Sequence, residues 1–599
     1  MTGNAVATTR GLADVKLHLV DSLDEVLKLL NWLGERRERP MLAFDTETTG
    51  LIVGTDRVRL VQVGDLHHGW SIPLDRWGGV FEDIVRRWSG GWLAHNAKFD
   101  VGMLDHEGIT MPRHLVADTR VMAHVLEPNY STALKNVAGR HVDAKAAGLQ
   151  FNLAGTGFDW ATVPISFQPY WTYAALDTVL TAHVNDVLWP RLEREGCVDA
   201  FTLENDVSWI IERMERYGAH IDVAYAQEKL DAFERFVKES AAWCVTNYGV
   251  KPGSNPAVVK VLQEAGYEFT KATASGAVAL DKEVLGGIDH PLALTVLAYR
   301  KIQKLASTYL SHFVHEVDDD HLIHPSINVL GARTSRMSME RPNLQNLPRR
   351  SEGDAPANAV RTCVSARPGN VMMMCDFDQV EMRMLASMAN EESMIAAFKG
   401  DTDFFVALAR MVYGDESIVK ADPRRQVVKN AGYATIYGAG IAKFAKTAGI
   451  SYEQGQTVRQ RWDALFPRVA AFQREVIGIA QSRYRNEGRP YVRCPVTRRY
   501  QVADPGKEYA LVNFLIQGAA AAVLKKKLIE LDNAGFGPYM VVPVHDEIIL
   551  DVPKEHAADA AYALRKVMND DEMFTVPLSA SVSWGPTWGA KEAYGALEA

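Results

Sequence analysis

Cysteine is scarce: the 599-residue chain has five, an odd number without paired spacing. That excludes a disulfide scaffold, argues against a thiolate zinc site and fits a reducing compartment. Long apolar runs are missing too. The longest apolar-rich stretch, Leu511 to Leu524, contains Asn513 and Gln517 and is too short and too polar to span a bilayer. The opening residues, MTGNAVATTRGLADVK, have no apolar signal core. Repeats and low-complexity tracts are absent, which excludes solenoids and linker arrays. Positive charge is not in excess, since 65 Lys and Arg face 74 Asp and Glu. A uniformly basic nucleic-acid coat is ruled out, though a basic groove in an acidic body is not. What is present is globular composition, 47% apolar and 23% charged, at a length of about four folding units of roughly 150 residues. The chain reads as a soluble, intracellular, multidomain protein.

Residues 41–190 alternate short apolar runs (MLAF, VRLVQVG, GWLAH) with helical stretches, the pattern of an α/β domain. From about 200 to 310 the segments are long and amphipathic, as in LENDVSWIIERMERYG, and read as helices. A loop rich in Arg, Pro and Asn follows (TSRMSMERPNLQNLPRR). After it come a strand-like run, VMMMCDF, a set of helices, and YMVVPVHDEIILDV, two buried strands meeting at a polar turn. The expected fold class is α/β and α+β multidomain: an α/β domain, a helical arm, and an α+β domain with a helical insertion.

Two acidic sets stand out. In MLAFDTETTG, Asp45 and Glu47 lie two apart on a strand, so both side chains leave one face. HNAKFD then offers Asn96, Phe99 and Asp100, and PYWTYAALD sets Tyr173 and Asp177 four apart on one helix face. Four carboxylates converging on one spot repel unless cations sit between them, and oxygen-only ligands select Mg²⁺ or Mn²⁺. Two such ions suit phosphodiester hydrolysis, with Tyr173 placing the water. Singly, Asp45 is better explained as a strand-end cap and Asp177 as a solvated helix charge; it is the set in this order and spacing that points to the metal site. The second set begins where Val371–Cys375 delivers Asp376, and continues at VHDE with His545, Asp546 and Glu547. Asp376 and Asp546 are the natural pair to bridge two Mg²⁺ ions, one at a primer 3′-hydroxyl and one at triphosphate oxygens. By itself VHDE is better read as an ordinary surface hairpin turn.

Between these segments, KADPRRQVVKNAGYATIYGAG starts a helix at Asp422 and Pro423 and stops it at Gly438 and Gly440. Arg425, Lys429, Tyr433 and Tyr437 recur every four residues as one slowly turning stripe. Two cations near a helix start suit nucleotide phosphates, and two rings farther along suit a sugar and a base.

The first set resembles the 3′–5′ proofreading exonucleases of the DnaQ-like (RNase H-like) fold. The second half resembles the family A, DNA polymerase I-type, DNA polymerases. Its matching pieces are TxRxSxxxPNLQNxP (Thr334 to Pro348), DFDQVEMRMLA, RxxxKxxxYxxxYG, NFLIQGxAA from Asn513, and VHDE, with MERYGAHID and KLASTY upstream. The resemblance implies an exonuclease domain over residues 1–195 and a right-hand polymerase. Its thumb and palm entry fall at 196–350, the palm at 351–395 and 491–599, and the fingers at 396–490. It makes Asp45, Glu47, Asp100 and Asp177 metal ligands with Tyr173 orienting water. It makes Asp376 and Asp546 the catalytic ligands, with Glu547 an accessory carboxylate. Arg425 and Lys429 are implied to bind the triphosphate, Lys429 also to protonate pyrophosphate. Gln379, Glu381, Tyr433 and Tyr437 face the incoming nucleotide, Glu381 blocking a ribose 2′-hydroxyl. Arg336, Asn343, Gln345, Asn513, Gln517 and His545 contact primer–template. Arginine clusters at 333–350 and 483–499 fit DNA-backbone contacts.

Implied cofactors are two Mg²⁺ per active site, with Mn²⁺ as substitute. Implied partners are primer–template DNA and dNTPs, with a replication helicase or primase as a further candidate. A monomer acting in phage DNA replication, in the host cytoplasm, is the expected setting. Only about 40 residues precede DTET, so no 5′-nuclease domain is expected, and the 24 residues between Tyr309 and Thr334 leave no room for a large thumb insertion that recruits a processivity factor. Two departures stand out: Phe405 falls where many members have a phosphate-binding His, and Tyr509 where many have Arg. Tyr433 replaces a common Phe. A nuclease with a degenerate second domain is disfavoured by Asp376, Lys429 and Asp546, a non-catalytic DNA clamp by both acidic sets, and an RNA polymerase by Glu381.

Overall fold

The alternating apolar runs of the first 130 residues fold as one sheet. In the computed structural model, residues 12–36, 41–273, 276–348, 350, 353–400, 402–590 and 595–597 are described. Six strands, β1 (Lys16–Leu19), β2 (Leu42–Thr48), β3 (Val58–Gly64), β4 (His68–Pro73), β5 (Trp92–Ala94) and β6 (Val116–Asp118), lie in the order β1-β4-β3-β2-β5-β6. β3 runs antiparallel to β2 and β4, and the other pairs are parallel. Helices α1 (Leu23–Gly34) and α2 (Leu74–Arg87) share a core with Leu42 and Phe44 on one face. The connections carry α3 (Ala97–His106), α4 (Thr119–Leu126), α5 (Leu134–His141) and α6 (Gln168–Arg194). On the opposite face Ala43 and Leu93 pack against Ala182 of α6.

The chain leaves this unit through α7 (Val198–Tyr217) and enters an arm of α8 (Val223–Tyr248), α9 (Asn255–Glu264), α10 (Lys282–Gly286) and α11 (Pro291–Leu305). The arm's far end has its own small core, including Cys244, Val258, Leu262, Leu292 and Val296.

A second unit follows. Its central strand is β7 (Asn370–Phe377), and farther on come a small hairpin, β8 (Tyr491–Arg493) and β9 (Tyr500–Val502), then β10 (Met540–Val544), β11 (Glu547–Pro553), β12 (Ala580–Gly585) and β13 (Gly595–Leu597). The sheet is antiparallel in the order β10-β11-β7-β12-β13. Its central place buries Val371–Cys375 on both sides, which is why that run is apolar without alternation. Between β7 and β10 lie α12 (Val380–Ala389), α13 (Phe404–Tyr413), α14 (Pro423–Ile436), α15 (Ile441–Ala448), α16 (Tyr452–Leu465), α17 (Pro467–Glu487) and α18 (Ala510–Asn533). As the sequence signals require, Asp422 caps α14 by accepting the Arg424 N–H at 2.9 Å. Beyond its end Gly438 takes φ +61°, a conformation that costs glycine little. The two units share a core in which Leu180, Leu188 and Phe201 meet Tyr500 and Val502.

Candidate active sites

On β2 the two-residue period sets Asp45 and Glu47 on the same face as Ala43, toward α6. Asp100, in the first turn of α3, accepts the Thr46 N–H at 3.1 Å and the Thr46 hydroxyl at 2.6 Å. The start of α3 is itself pinned, because the Asp118 carboxylate accepts the N–H groups of Asn96 at 3.0 Å and Ala97 at 2.9 Å. Burial pushes Asp45 up to about 7 and Glu47 to about 8, the latter helped by Asp45. It also holds Asp100 well above the carboxylate range, again with Asp45 adding to the rise.

Lys135 of α5 is the group that sequence reasoning missed. Its ammonium contacts the Asp177 carboxylate and lies 4.4 Å from the centre of the Tyr173 ring. Burial lowers the Lys135 ammonium to about 8 against the pull of Asp45 and Glu47. The available signal was its position three residues before buried Ala138, a charge on an apolar helix face. Burial, then Glu47 and Asp45, push the Tyr173 hydroxyl up to about 12, so it is protonated and able to orient a water. Among the described residues no three acidic, histidine or cysteine side chains form a ready metal cage. Unscreened carboxylates repel, and here an ammonium stands where their field asks for a cation. The donors are all hard oxygens, which fits Mg²⁺ or Mn²⁺.

In the second unit the buried run of β7 ends at exposed Asp376, which pairs in register with Glu547 of β11. The Phe377 N–H donates to the Asp546 carbonyl at 3.2 Å, bringing the third acidic residue alongside. Asp546 follows His545 in the hairpin turn, and His545 takes φ +60°. Gln379 is also left-handed, at φ +57°, just before α12. Such non-glycine outliers cluster at functional sites. Gln379 Oε1 and Asn513 Oδ1 are buried and receive no hydrogen bond from the described residues.

Four sequence candidates from distant segments join in one chain of hydrogen bonds. Arg336 contacts one oxygen of buried Glu381, Tyr437 donates to the other at 3.2 Å, and the Gln517 amide donates to the Tyr437 oxygen at 3.2 Å. On the α14 stripe, Arg425 forks onto Asp403 with both contacts at 2.8 Å. Phe405 is the fully buried floor beneath it, with Arg425 Cζ at 5.8 Å, Lys429 Nζ at 5.7 Å and the Tyr433 ring centre at 6.3 Å. Tyr509 is exposed and lines a cavity of about 410 Å³ with Thr435, Gly438 and Phe444.

Some expected DNA contacts have structural work in hand. Asn343 caps the turn at Asn346 through a 3.2 Å bond, and the Gln345 amide donates to the Pro543 carbonyl at 3.3 Å. The arginine-rich stretch 483–499 requires a correction. Arg489 donates to Leu126 O at 2.8 Å, Arg493 to Glu195 O at 2.6 Å, and buried Arg499 to His124 O at 3.2 Å, so these three are engaged in joining the two units. Tyr491 and Tyr500 stack between Arg483, Arg489 and Arg493. In the other cluster Arg333 pairs with Asp504 at 2.9 Å, and Arg349 lies outside the described residues.

The family profile for DNA polymerase family A matches residues 225–590, and that for the 3′–5′ exonuclease matches residues 19–193. The chain belongs to DNA polymerase family A, and is a DNA-directed DNA polymerase with a 3′–5′ exonuclease domain. It is similar to the DNA polymerase of Mycobacterium phage D29, with 31% identity covering 93% of this chain and 95% of that one. The DNA polymerase of Mycobacterium phage L5 is 29% identical, with 96% and 98% covered. DNA polymerase I of Chloroflexus aurantiacus is 28% identical over 94% of this chain, but that match spans 62% of the longer protein. Among solved structures, the POL domain of Pol1 from M. smegmatis in complex with DNA primer-template and dNTP shares the fold, with a TM-score of 0.80 at 21% identity over 96% of this chain and 99% of that one.

Proposed function

We propose that synthesis and proofreading run in two separate acidic centres, each using two divalent cations, Mg²⁺ or in its place Mn²⁺. The observation that carries this reading is the support of the two carboxylate sets by different sheets, β2 in the first unit and β7–β11 in the second. Asp45, Glu47, Asp100 and Asp177 hold the ions of the exonuclease, and Asp376 and Asp546, with Glu547 as accessory, those of the polymerase. Bound there, Mg²⁺ supplies charge neutralisation and Lewis acidity at the phosphate under attack.

The chain's own groups do the rest. Tyr173 orients the hydrolytic water. Lys429 neutralises the triphosphate and hands a proton to departing pyrophosphate, while Arg425 exchanges Asp403 for a phosphate of similar geometry. Gln379 and Glu381 face the incoming sugar, Tyr433 lies against it, and Tyr437 sits beside the nascent pair. Arg336, Asn343, Gln345, Asn513, Gln517 and His545 grip primer–template. The similarity to phage polymerases supports action in the cytoplasm of a host cell, where dNTPs and Mg²⁺ are supplied.

A primer-extension gel with matched and mismatched 3′ ends tests the two-centre reading. Asp376→Ala is expected to abolish extension and keep 3′ trimming, and Asp45→Ala to do the reverse. Loss of trimming in a folded Asp376→Ala enzyme would overturn it.

A further inference from the structure

Two consecutive residues of α7 reach toward the two centres in different directions. Glu204 is buried and accepts from Lys525 of α18 at 2.5 Å and from Arg499 at 3.2 Å. Lys525 is fully buried, and its other two protons go to the carbonyls of Val329 at 2.9 Å and Ser335 at 2.7 Å. All three donors of this ammonium are thus committed. Two of them hold the loop whose next residue is Arg336, the partner of Glu381. Ser335 takes φ +66°, a backbone conformation that a non-glycine residue keeps only when its surroundings impose it. A buried ion cluster is costly next to an apolar one of the same shape, and here its donors are spent on fixing the Val329 and Ser335 carbonyls.

Asn205 serves the other side. Its side-chain oxygen accepts the Asp118 N–H at 3.1 Å, and its amide donates to the Val116 carbonyl at 3.0 Å. β6 is an edge strand, so these bonds supply the ladder partner that no strand provides. Asp118 in turn holds the N–H groups of Asn96 and Ala97, and α3 presents Asp100 one turn later.

We propose that Glu204 and Asn205 form a two-way brace on α7: Glu204, through Lys525, positions Arg336 and Glu381, while Asn205, through Asp118, positions Asp100. All are positioning residues, and the inference rests on the roles proposed above for Arg336, Glu381 and Asp100. The exonuclease domain is then registered on the same helix turn that registers the nucleotide-selecting loop.

The test compares Asn205→Ala, Lys525→Met and the double variant Lys525→Met/Glu204→Gln with the parent full-length enzyme. Excision of single-stranded DNA, preference for a dNTP over the matching rNTP (in an Asp45→Ala background) and Tm are measured. Loss of a positioning hydrogen bond is expected to cost about tenfold. Asn205→Ala should lower the kcat of excision by that factor with KM for DNA unchanged, and leave extension within about twofold. Lys525→Met leaves Glu204 paired one-to-one with buried Arg499 and should keep Tm nearer the parent than the double variant, which strands the Arg499 charge. Lys525→Met should show the dNTP preference reduced about tenfold, with excision within about twofold of the parent. Parallel loss of both activities in either Asn205→Ala or Lys525→Met, or parental selectivity in Lys525→Met, would overturn the brace. Glu381→Ala and Asp100→Ala separate its failure from that of the site reading. If Glu381→Ala keeps selectivity or Asp100→Ala keeps excision, the assigned roles are wrong. If those controls lose function and the brace variants do not, the brace is wrong.

Discussion

Tyr437 donates its phenolic hydrogen to one oxygen of Glu381 at 3.2 Å while Arg336 contacts the other. A buried carboxylate held from both sides has little freedom to move away from a substrate group that meets it. At the proposed sugar site it therefore acts as a fixed wall with charge behind it. Replacing it by Ala is expected to raise acceptance of ribonucleotides, by roughly ten- to a hundredfold if the wall is worth a charged hydrogen bond. Competing dNTP and rNTP incorporation on one primer checks this, and unchanged discrimination in Glu381→Ala places the 2′-hydroxyl barrier elsewhere.

Much of this architecture was open to reading from the residues, because each chemical group was flagged by a local conflict. Asp45 and Glu47 interrupt an apolar strand, Asp376 ends one, and Arg425, Lys429, Tyr433 and Tyr437 sit where an ordinary amphipathic helix carries apolar residues. Partnerships between distant segments were harder. Nothing local says that Arg499 and Lys525 share the Glu204 carboxylate, that Asp403 holds Arg425, or that Lys135 enters the acidic cluster. Charge counts mislead for the same reason: an arginine run has one appearance whether it meets phosphate or, as at Arg489 and Arg493, a neighbouring domain's carbonyls.

Lys429 shares the Phe405 floor with Arg425, whose guanidinium is held by the carboxylate of Asp403. If Lys429 serves the triphosphate, Lys429→Ala should lower the maximal polymerisation rate by on the order of a hundredfold, the scale of a general acid. DNA affinity should change little. Rapid-quench single-turnover rates beside a DNA-binding titration give both numbers, and equal losses in both would move Lys429 into the duplex groove.

The exonuclease carboxylates carry a signed dependence on pH. Asp45 and Glu47 titrate at about 7 and about 8 in the folded protein, above the ordinary carboxylate range. Folding in the absence of metal is therefore linked to proton uptake by these groups. Their contribution to stability is complete below their unfolded pKa values and disappears as pH rises through 7 to 8. Lys135, lowered to about 8, acts oppositely: between about 8 and its ordinary value near 10.5 its neutral folded form favours folding as pH increases. In EDTA, the Tm of the parent relative to Asp45→Asn/Glu47→Gln should decline from about pH 5 to pH 8. Added Mg²⁺ should raise Tm more at pH 8 than at pH 5, because the ligands bind as carboxylates. Scanning calorimetry of the parent and of Asp45→Asn/Glu47→Gln checks both signs, and a metal-free Tm difference that grows in the parent's favour between pH 5 and 8 contradicts them.

Tyr433 makes the sharpest case. Its ring stands beside Phe405, half-buried on the α14 stripe, where many family members carry Phe. A Phe there cannot donate a hydrogen bond, so the substrate's own 3′-hydroxyl supplies a contact that a dideoxy sugar lacks. A Tyr hydroxyl can occupy that space and bond in its stead. One such bond near a charged triphosphate is worth roughly 1.5–3 kcal/mol, or about ten- to a hundredfold in selectivity. The parent enzyme is expected to take dideoxynucleotides readily, and Tyr433→Phe to restore discrimination against them. Were Tyr433 only a packing aromatic with its hydroxyl toward water, the substitution would change little. Steady-state incorporation of a dideoxy against a deoxy substrate, with excision silenced by Asp45→Ala, decides between the two. Strong discrimination by the parent, unchanged in Tyr433→Phe, would remove the hydroxyl from the sugar site.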